Sequence, residues 1–258
     1  TAGEQRICGE RTENNENHTK ETYFSHKERM FPELDGTDKR LIPTEQFLMA
    51  CQGIAEFVGF LGMAFVPVKN DIAGNVHKVR TKFVGFLGMA FVPVKNDIAG
   101  NVHKVRTKFE TDRKSMEVLQ DLVDIDLMEN GGKIGTATEG LLWLKRGLEF
   151  MLELLKALVR DYKKARTDAK TENLADILNE AYEKTLKRHH NFISKQLFKV
   201  VLYAAPRRRT LLLAVAYGHE GLEEICVEHI AELLTNFEAN VSALVDYYHS
   251  KKLEIPPP

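Results

Sequence analysis

Asp71, Asn75 and Lys78 stand at offsets of 0, 4 and 7, and the same trio returns as Asp97, Asn101 and Lys104. On a helix those offsets bring a carboxylate, an amide and an ammonium onto one face. Such a stripe can grip a ligand rich in hydroxyls, because the carboxylate accepts, the ammonium donates and the amide does both. An exposed charge pattern on a solvated face would have the same spacing. The glycine inside each stripe (Gly74, Gly100) costs roughly 1 kcal/mol against Ala in a helix interior. Close approach of another backbone or of a ligand would account for that cost. Trp143, the single tryptophan, lies in the run Leu141-Leu142-Trp143-Leu144. There it either fills a core or offers a flat ring on which the C–H face of a sugar can stack.

Other chemistries lack their residues. There is no G-x-G-x-x-G, no P-loop, no G-x-S-x-G and no cysteine pair at zinc spacing. His219-Glu220 has no second histidine four residues on, and His189 and His190, being adjacent, would point about 100° apart on a helix. Neither catalysis, a metal nor a cofactor is therefore expected. With 36 Lys+Arg against 37 Asp+Glu, the chain has no basic excess for a nucleic acid. No run of uncharged apolar residues is long enough to span a bilayer. Cys8, Cys51 and Cys226 leave one thiol over in any pairing, which suits a reducing compartment. The polar opening segment has no signal-peptide core, so a cytoplasmic location is expected. A chain opening on Thr1 is expected to be trimmed or partial, and the sequons at Asn17 and Asn240 to be chance matches.

The elements that must position these groups read as helices. Residues 1–40 are polar and aperiodic and predict a flexible tail. Val58 to Phe83 then recurs without change as Val84 to Phe109. Two copies do not make a solenoid, which needs at least three units; recent duplication, engineering or a faulty gene assembly are the candidate origins. Pro43-Thr44 predicts a helix start with Thr44 as N-cap, followed by Phe47, Leu48, Cys51, Ile54 and Val58 at helical spacing. Pro67 or Pro93 opens the next helix. Met116 to Leu127 predicts a third, stopped by Asn130-Gly131-Gly132. Leu141 to Leu158 carries a long apolar stripe. Residues 173–205 predict one helix or a close pair, and 221 to about 251 a last one. The fold class is all-α.

Three runs carry a resemblance. They are Val68-Lys69-Asn70-Asp71-Ile72-Ala73-Gly74-Asn75-Val76-His77-Lys78, then Trp143-Leu144-Lys145-Arg146-Gly147-Leu148, then Ala181-Tyr182-Glu183 through His189-His190 to Leu202-Tyr203-Ala204-Ala205-Pro206. In this order, and at these spacings once one repeat is excised, they resemble the glycolipid transfer protein family. The resemblance covers about residues 41–251. It implies a domain over 41–255 in which either 58–83 or 84–109 is an insertion, folded as a two-layer helical sandwich. It further implies a non-enzymatic carrier of a glycosphingolipid between membranes, touching the membrane only transiently. The sugar would meet Asp71, Asn75 and Lys78, or Asp97, Asn101 and Lys104, together with Trp143. The Asp and His190 would take the ceramide amide. Phe150, Leu186, Phe198 and Tyr203 would line or rim an apolar tunnel.

Some positions depart from the family pattern. Phe192 stands where relatives often carry Trp, and Glu139 where an apolar residue is typical. Arg207-Arg208-Arg209 reads equally as a contact for anionic headgroups or as a solvated basic turn. Trp143 favours a neutral sugar over a phosphate. The alternatives are a ceramide-1-phosphate carrier, or a lipid sensor without appreciable transfer.

Overall fold

The computed structural model describes residues 21–36, 40–63, 91–164 and 172–254, and these form eight α-helices. Helix α1 (Thr44–Met63) buries Phe47, Leu48, Cys51, Ile54 and Val58, its predicted face. Thr44 does not cap it. Its hydroxyl donates to the Met116 carbonyl at 2.7 Å and its backbone N–H to the Glu117 carbonyl at 2.8 Å, so the helix start is tied to the chain at Met116 and Glu117.

Helix α2 is Val92–Phe109, with Pro93 in its first turn, where the missing N–H costs nothing. It belongs to the second copy of the repeat, whereas α1 ends in the first residues of the first copy. The extra residues thus fall between the first two helices. Pro67 and the stripe Asp71, Asn75, Lys78 lie outside the described residues.

Helix α3 (Leu119–Glu129) stops as expected, at Gly131 and Gly132 with φ of 63° and 82°, angles that side chains avoid. The central helix α4 (Thr136–Lys164) packs against α2, α3, α5 (Ala175–Lys184) and α8 (Glu223–Ser250). Its N-terminus is held by buried Asp126 of α3, which accepts from the Thr138 N–H at 3.0 Å and hydroxyl at 2.6 Å. A carboxylate suits that end of the helix dipole.

The predicted helix or pair over 173–205 is a pair: α5, a 3-10 turn at Leu186–His189, then α6 (Phe192–Tyr203). Helix α7 (Arg208–Val215) was not legible from periodicity, being only two turns long. Its start corrects the reading of the triple arginine at one position, while Arg207 and Arg209 are exposed. Arg208 is buried, pairs with Glu172 at 2.8 Å and lies over the Tyr162 ring.

Residues 21–36 correct the predicted tail, while 1–20 lie outside the described residues. Tyr23, Phe24 and Phe31 are buried; Tyr23 donates its hydroxyl to the Gly53 carbonyl at 2.8 Å, and Phe31 stacks on Phe237 of α8 at 4.3 Å. Three aromatics without a helical period anchor this strap, so a search for periodicity passes over it.

Candidate functional site

The site lies where α2, α4 and α6 meet. A Cβ on Gly140 of α4 would come within 3.1 Å of the Lys104 Cβ and 3.5 Å of the Asn101 carbonyl, so glycine there lets α2 seat closely on α4. Among the described residues, none makes the close approach expected at Gly100: a Cβ there would meet nothing within 4 Å.

A cavity of about 820 Å³ opens at this junction, lined by Asp97, Asn101, Lys104, Trp143, His189 and His190 on its polar side. That volume falls in the range of about 300–1,000 Å³ usual for ligand pockets. Leu61, Phe91, Ile98, Phe150, Met151, Leu186, Phe198 and Val201 form the apolar remainder. Of the predicted tunnel residues, Tyr203 is the exception: it is 72% exposed at the end of α6 and is not among the lining residues. Glu139 is exposed and also stands outside the cavity lining.

The polar groups are preset by their neighbours. Asn101 is buried, and its side-chain oxygen accepts from the Lys104 ammonium at 3.1 Å. Its amide nitrogen has no hydrogen-bond partner among the described residues. Asp97 reaches solvent at the mouth, but desolvation by the surrounding protein raises its pKa above the ordinary carboxylate value, against the pull of Lys104 and His190. Burial lowers the His190 pKa, with Asp97 opposing and Lys195 assisting. His190 is therefore neutral at pH 7, with Nδ1 at 3.2 Å from the Tyr182 hydroxyl.

Tyr182 in turn stacks on Phe198 at 3.7 Å, and Phe198 meets Phe150 edge-on at 6.0 Å. Asn191 caps α6 by accepting from the Ser194 N–H at 2.9 Å, which fixes the chain just past His190. Trp143 is half-buried, with the Arg146 guanidinium 4.6 Å from its ring centroid.

Sequence reasoning missed four neighbours. His189 also lines the cavity, Tyr182 partners His190, Arg146 covers one side of Trp143, and Glu254 holds Arg146 at 2.8 Å. The pair Lys145-Arg146 was visible beside Trp143. Nothing in the sequence pointed to Glu254, which follows α8 and arrives from 108 residues away.

Among the described residues, no group of His, Cys, Asp and Glu is placed to hold a metal ion, and no helix is long and apolar enough to cross a membrane. Cys51 and Cys226 are free and buried.

Fold and cavity together give the described residues an all-α architecture with an amphipathic, ligand-sized pocket. The sequence profile of the glycolipid transfer protein (GLTP) family matches residues 42–85 and 80–217, two segments that overlap inside the duplicated stretch. The chain is 37% identical over 230 residues to the glycolipid transfer protein of Danio rerio, covering 87% of this chain and 93% of that one. With glycolipid transfer protein A of Xenopus laevis it shares 32% over 219 residues, 83% of this chain and 90% of the other. The chain belongs to the glycolipid transfer protein family.

Its fold is the GLTP fold. The structure of FAPP2, which selects simple glycosphingolipids, superimposes with a TM-score of 0.69 at 27% identity, covering 91% of this chain and 98% of that one. The fungal glycolipid transfer protein HET-C2 gives 0.66 at 28%, covering 93% and 98%. The ceramide-1-phosphate transfer protein of mouse gives 0.62 at 19%, covering 85% and 93%, a likeness of fold alone.

Proposed function

We propose that this chain carries a glycosphingolipid between membranes, the sugar bound at the mouth by Asp97, Asn101, Lys104 and Trp143 and the ceramide held in the cavity below. One observation carries the reading: an acceptor, an amide, an ammonium, an indole and an imidazole converge on a cavity whose remaining lining is mostly apolar. Asp97 accepts from sugar hydroxyls and the ceramide N–H, and Lys104 donates. The sugar stacks on the Trp143 face opposite Arg146. Neutral His190 accepts from Tyr182 at Nδ1 and so presents its Nε2–H to the amide carbonyl.

Energetics support exchange without an energy source. Each methylene gains ~0.8 kcal/mol on leaving water, but here the chains pass from one apolar medium to another. Selectivity rests on the head, since a lipid that cannot match these donors and acceptors leaves them unpaired. The membrane is met through α6, where Phe192, Ile193 and Leu197 are 75%, 68% and 59% exposed. Leu197 also lines the cavity, so the apolar face adjoins the entrance. Phe192 inserts less firmly than a Trp.

Vesicle-to-vesicle transfer of labelled galactosylceramide, run beside labelled ceramide-1-phosphate, tests the reading. Saturable transfer of the sugar lipid is expected. Preference for the phosphate would make this a ceramide-1-phosphate carrier, and binding without transfer a sensor.

A further inference from the structure

Behind Trp143 lies a buried ionic cluster that the proposed headgroup contacts do not use. Lys145 is fully buried, its ammonium 2.8 Å from Glu149 and 2.6 Å from Glu254. The other Glu254 oxygen takes the Arg146 Nε at 2.8 Å, and His189 Nε2 lies 3.8 Å from it. Arg188 reaches Glu149 at 3.8 Å and donates to His189 Nε2 at 2.9 Å. Three cations thus face two carboxylates, beside a histidine that accepts a hydrogen bond and is uncharged.

The chain delivers Glu254 by a defined reversal at the end of α8. Lys252 adopts φ 57°, its N–H bonds the His249 carbonyl at 3.0 Å, and the Leu253 N–H bonds the Tyr248 carbonyl at 2.9 Å. This double closure is a Schellman ending, which fixes the direction of the residues that follow. Glu254 is 9% exposed, and a carboxylate so placed persists only when paired.

We propose that Glu254 is a specificity-determining residue: it holds Arg146 against the back of Trp143, neutralised, and thereby keeps the headgroup mouth closed to a phosphate-bearing lipid. The inference rests on the carrier reading above and names what sets its preference. Arg146 and His189 are the groups through which the cluster meets the site, Arg146 by its contact with the indole and His189 by lining the cavity. With Glu254 in place the cluster has one cation in surplus. Without it the surplus is two, and the freed guanidinium, a fork suited to phosphate, stands one ring away from the sugar position.

Transfer of galactosylceramide and of ceramide-1-phosphate is measured for the unaltered chain and for Glu254→Gln, which keeps shape and removes charge. The expected result is that the ratio of phosphate to sugar lipid transferred rises on the order of tenfold, while sugar transfer is largely kept. Adding Arg146→Gln to that variant returns the ratio to its starting value. An unchanged ratio, or equal loss of both lipids in a folded variant, overturns the inference while leaving the carrier reading intact. If Glu254→Gln melts, Lys145→Met/Glu254→Gln removes the buried pair together, a change proteins often tolerate; its cation surplus stays at one but Arg146 is still freed, so a smaller rise in the same direction is required of it. An unaltered chain that moves neither lipid defeats the carrier reading and this inference with it.

Discussion

Replacing Asp97 by Asn removes one charge from the mouth of the cavity while keeping the shape of the side chain. Asp97 faces Lys104 and His190 and stands in surroundings that already disfavour its charge. A charge-assisted hydrogen bond contributes about 1.5–3 kcal/mol. With the amide supplying one weaker acceptor in place of two, the net loss is about 2–3 kcal/mol, or roughly 30- to 150-fold in affinity. Asp71→Asn alters the identical position of the first copy, and on the present reading it changes affinity by less than about twofold. Titrating each variant with vesicles containing galactosylceramide, reading Trp143 emission and then transfer rate, compares the two directly. Acid sharpens the test. Because the Asp97 pKa lies above the ordinary carboxylate value, unaltered protein should weaken as pH falls through a range higher than a free Asp would give, and Asp97→Asn should lack that step. Equal losses from the two substitutions would refute the assignment of the site to the second copy.

Three further outcomes follow from particular contacts. Phe31→Ala empties a buried ring site stacked on Phe237 and should cost about 3–5 kcal/mol in denaturant unfolding; a change under about 1 kcal/mol would return residues 21–36 to the status of a tail. Burial and Arg146, against the opposing pull of Glu254, press the His189 pKa down from 6.5 to about 4. The unfolded chain therefore binds the extra proton first, and stability present above pH ~6.5 should fall as pH drops toward 4. After allowance for partial solvation the loss is roughly 1 kcal/mol, and His189→Gln should flatten this part of the profile in melts at pH 7 and 5. On α6, Phe192→Ser/Ile193→Ser should lower vesicle association and transfer severalfold, with headgroup affinity in detergent unchanged; unaltered transfer would remove α6 as the membrane face.

Helix positions were legible because each long helix here has a buried stripe at the 3.6-residue period, as Leu141 to Leu158 does in α4. What periodicity does not encode was lost. Tyr23, Phe24 and Phe31 bury rings from extended chain and 3-10 turns, and α7 is too short for a period to repeat. Thr44 has the residue type of a cap, yet the competing carbonyl of Met116 comes from 72 residues away. The candidate site divides in the same manner. Asp97, Asn101 and Lys104 share a face by local geometry, and Trp143 and His190 entered through a resemblance in ordered motifs. Glu254 meets Arg146 only through the fold, so no spacing rule could have paired them.

The duplicated stretch yields its own energetic expectation. Met63 ends α1 and Val92 starts α2, leaving 28 residues between them, of which one repeat unit supplies 26. A chain with a single copy would keep both helices intact and join them through Ala64-Phe65, because Val66-Pro67 then reads as Val92-Pro93 does here. The two helices already pack against each other near these ends: a Cβ on Gly59 would lie 3.7 Å from the Lys95 ammonium. Closing the longer connection costs more chain entropy, and lengthening it fourteenfold corresponds to about 2 kcal/mol. Deleting residues 66–91 should therefore raise stability by about that amount, a rise of several degrees in Tm, with galactosylceramide transfer retained. Circular dichroism melts and the vesicle assay on the shortened chain read both quantities. Loss of folding in the deletion variant would mean that the second unit contributes packing of its own, and that the helices seated here depend on it.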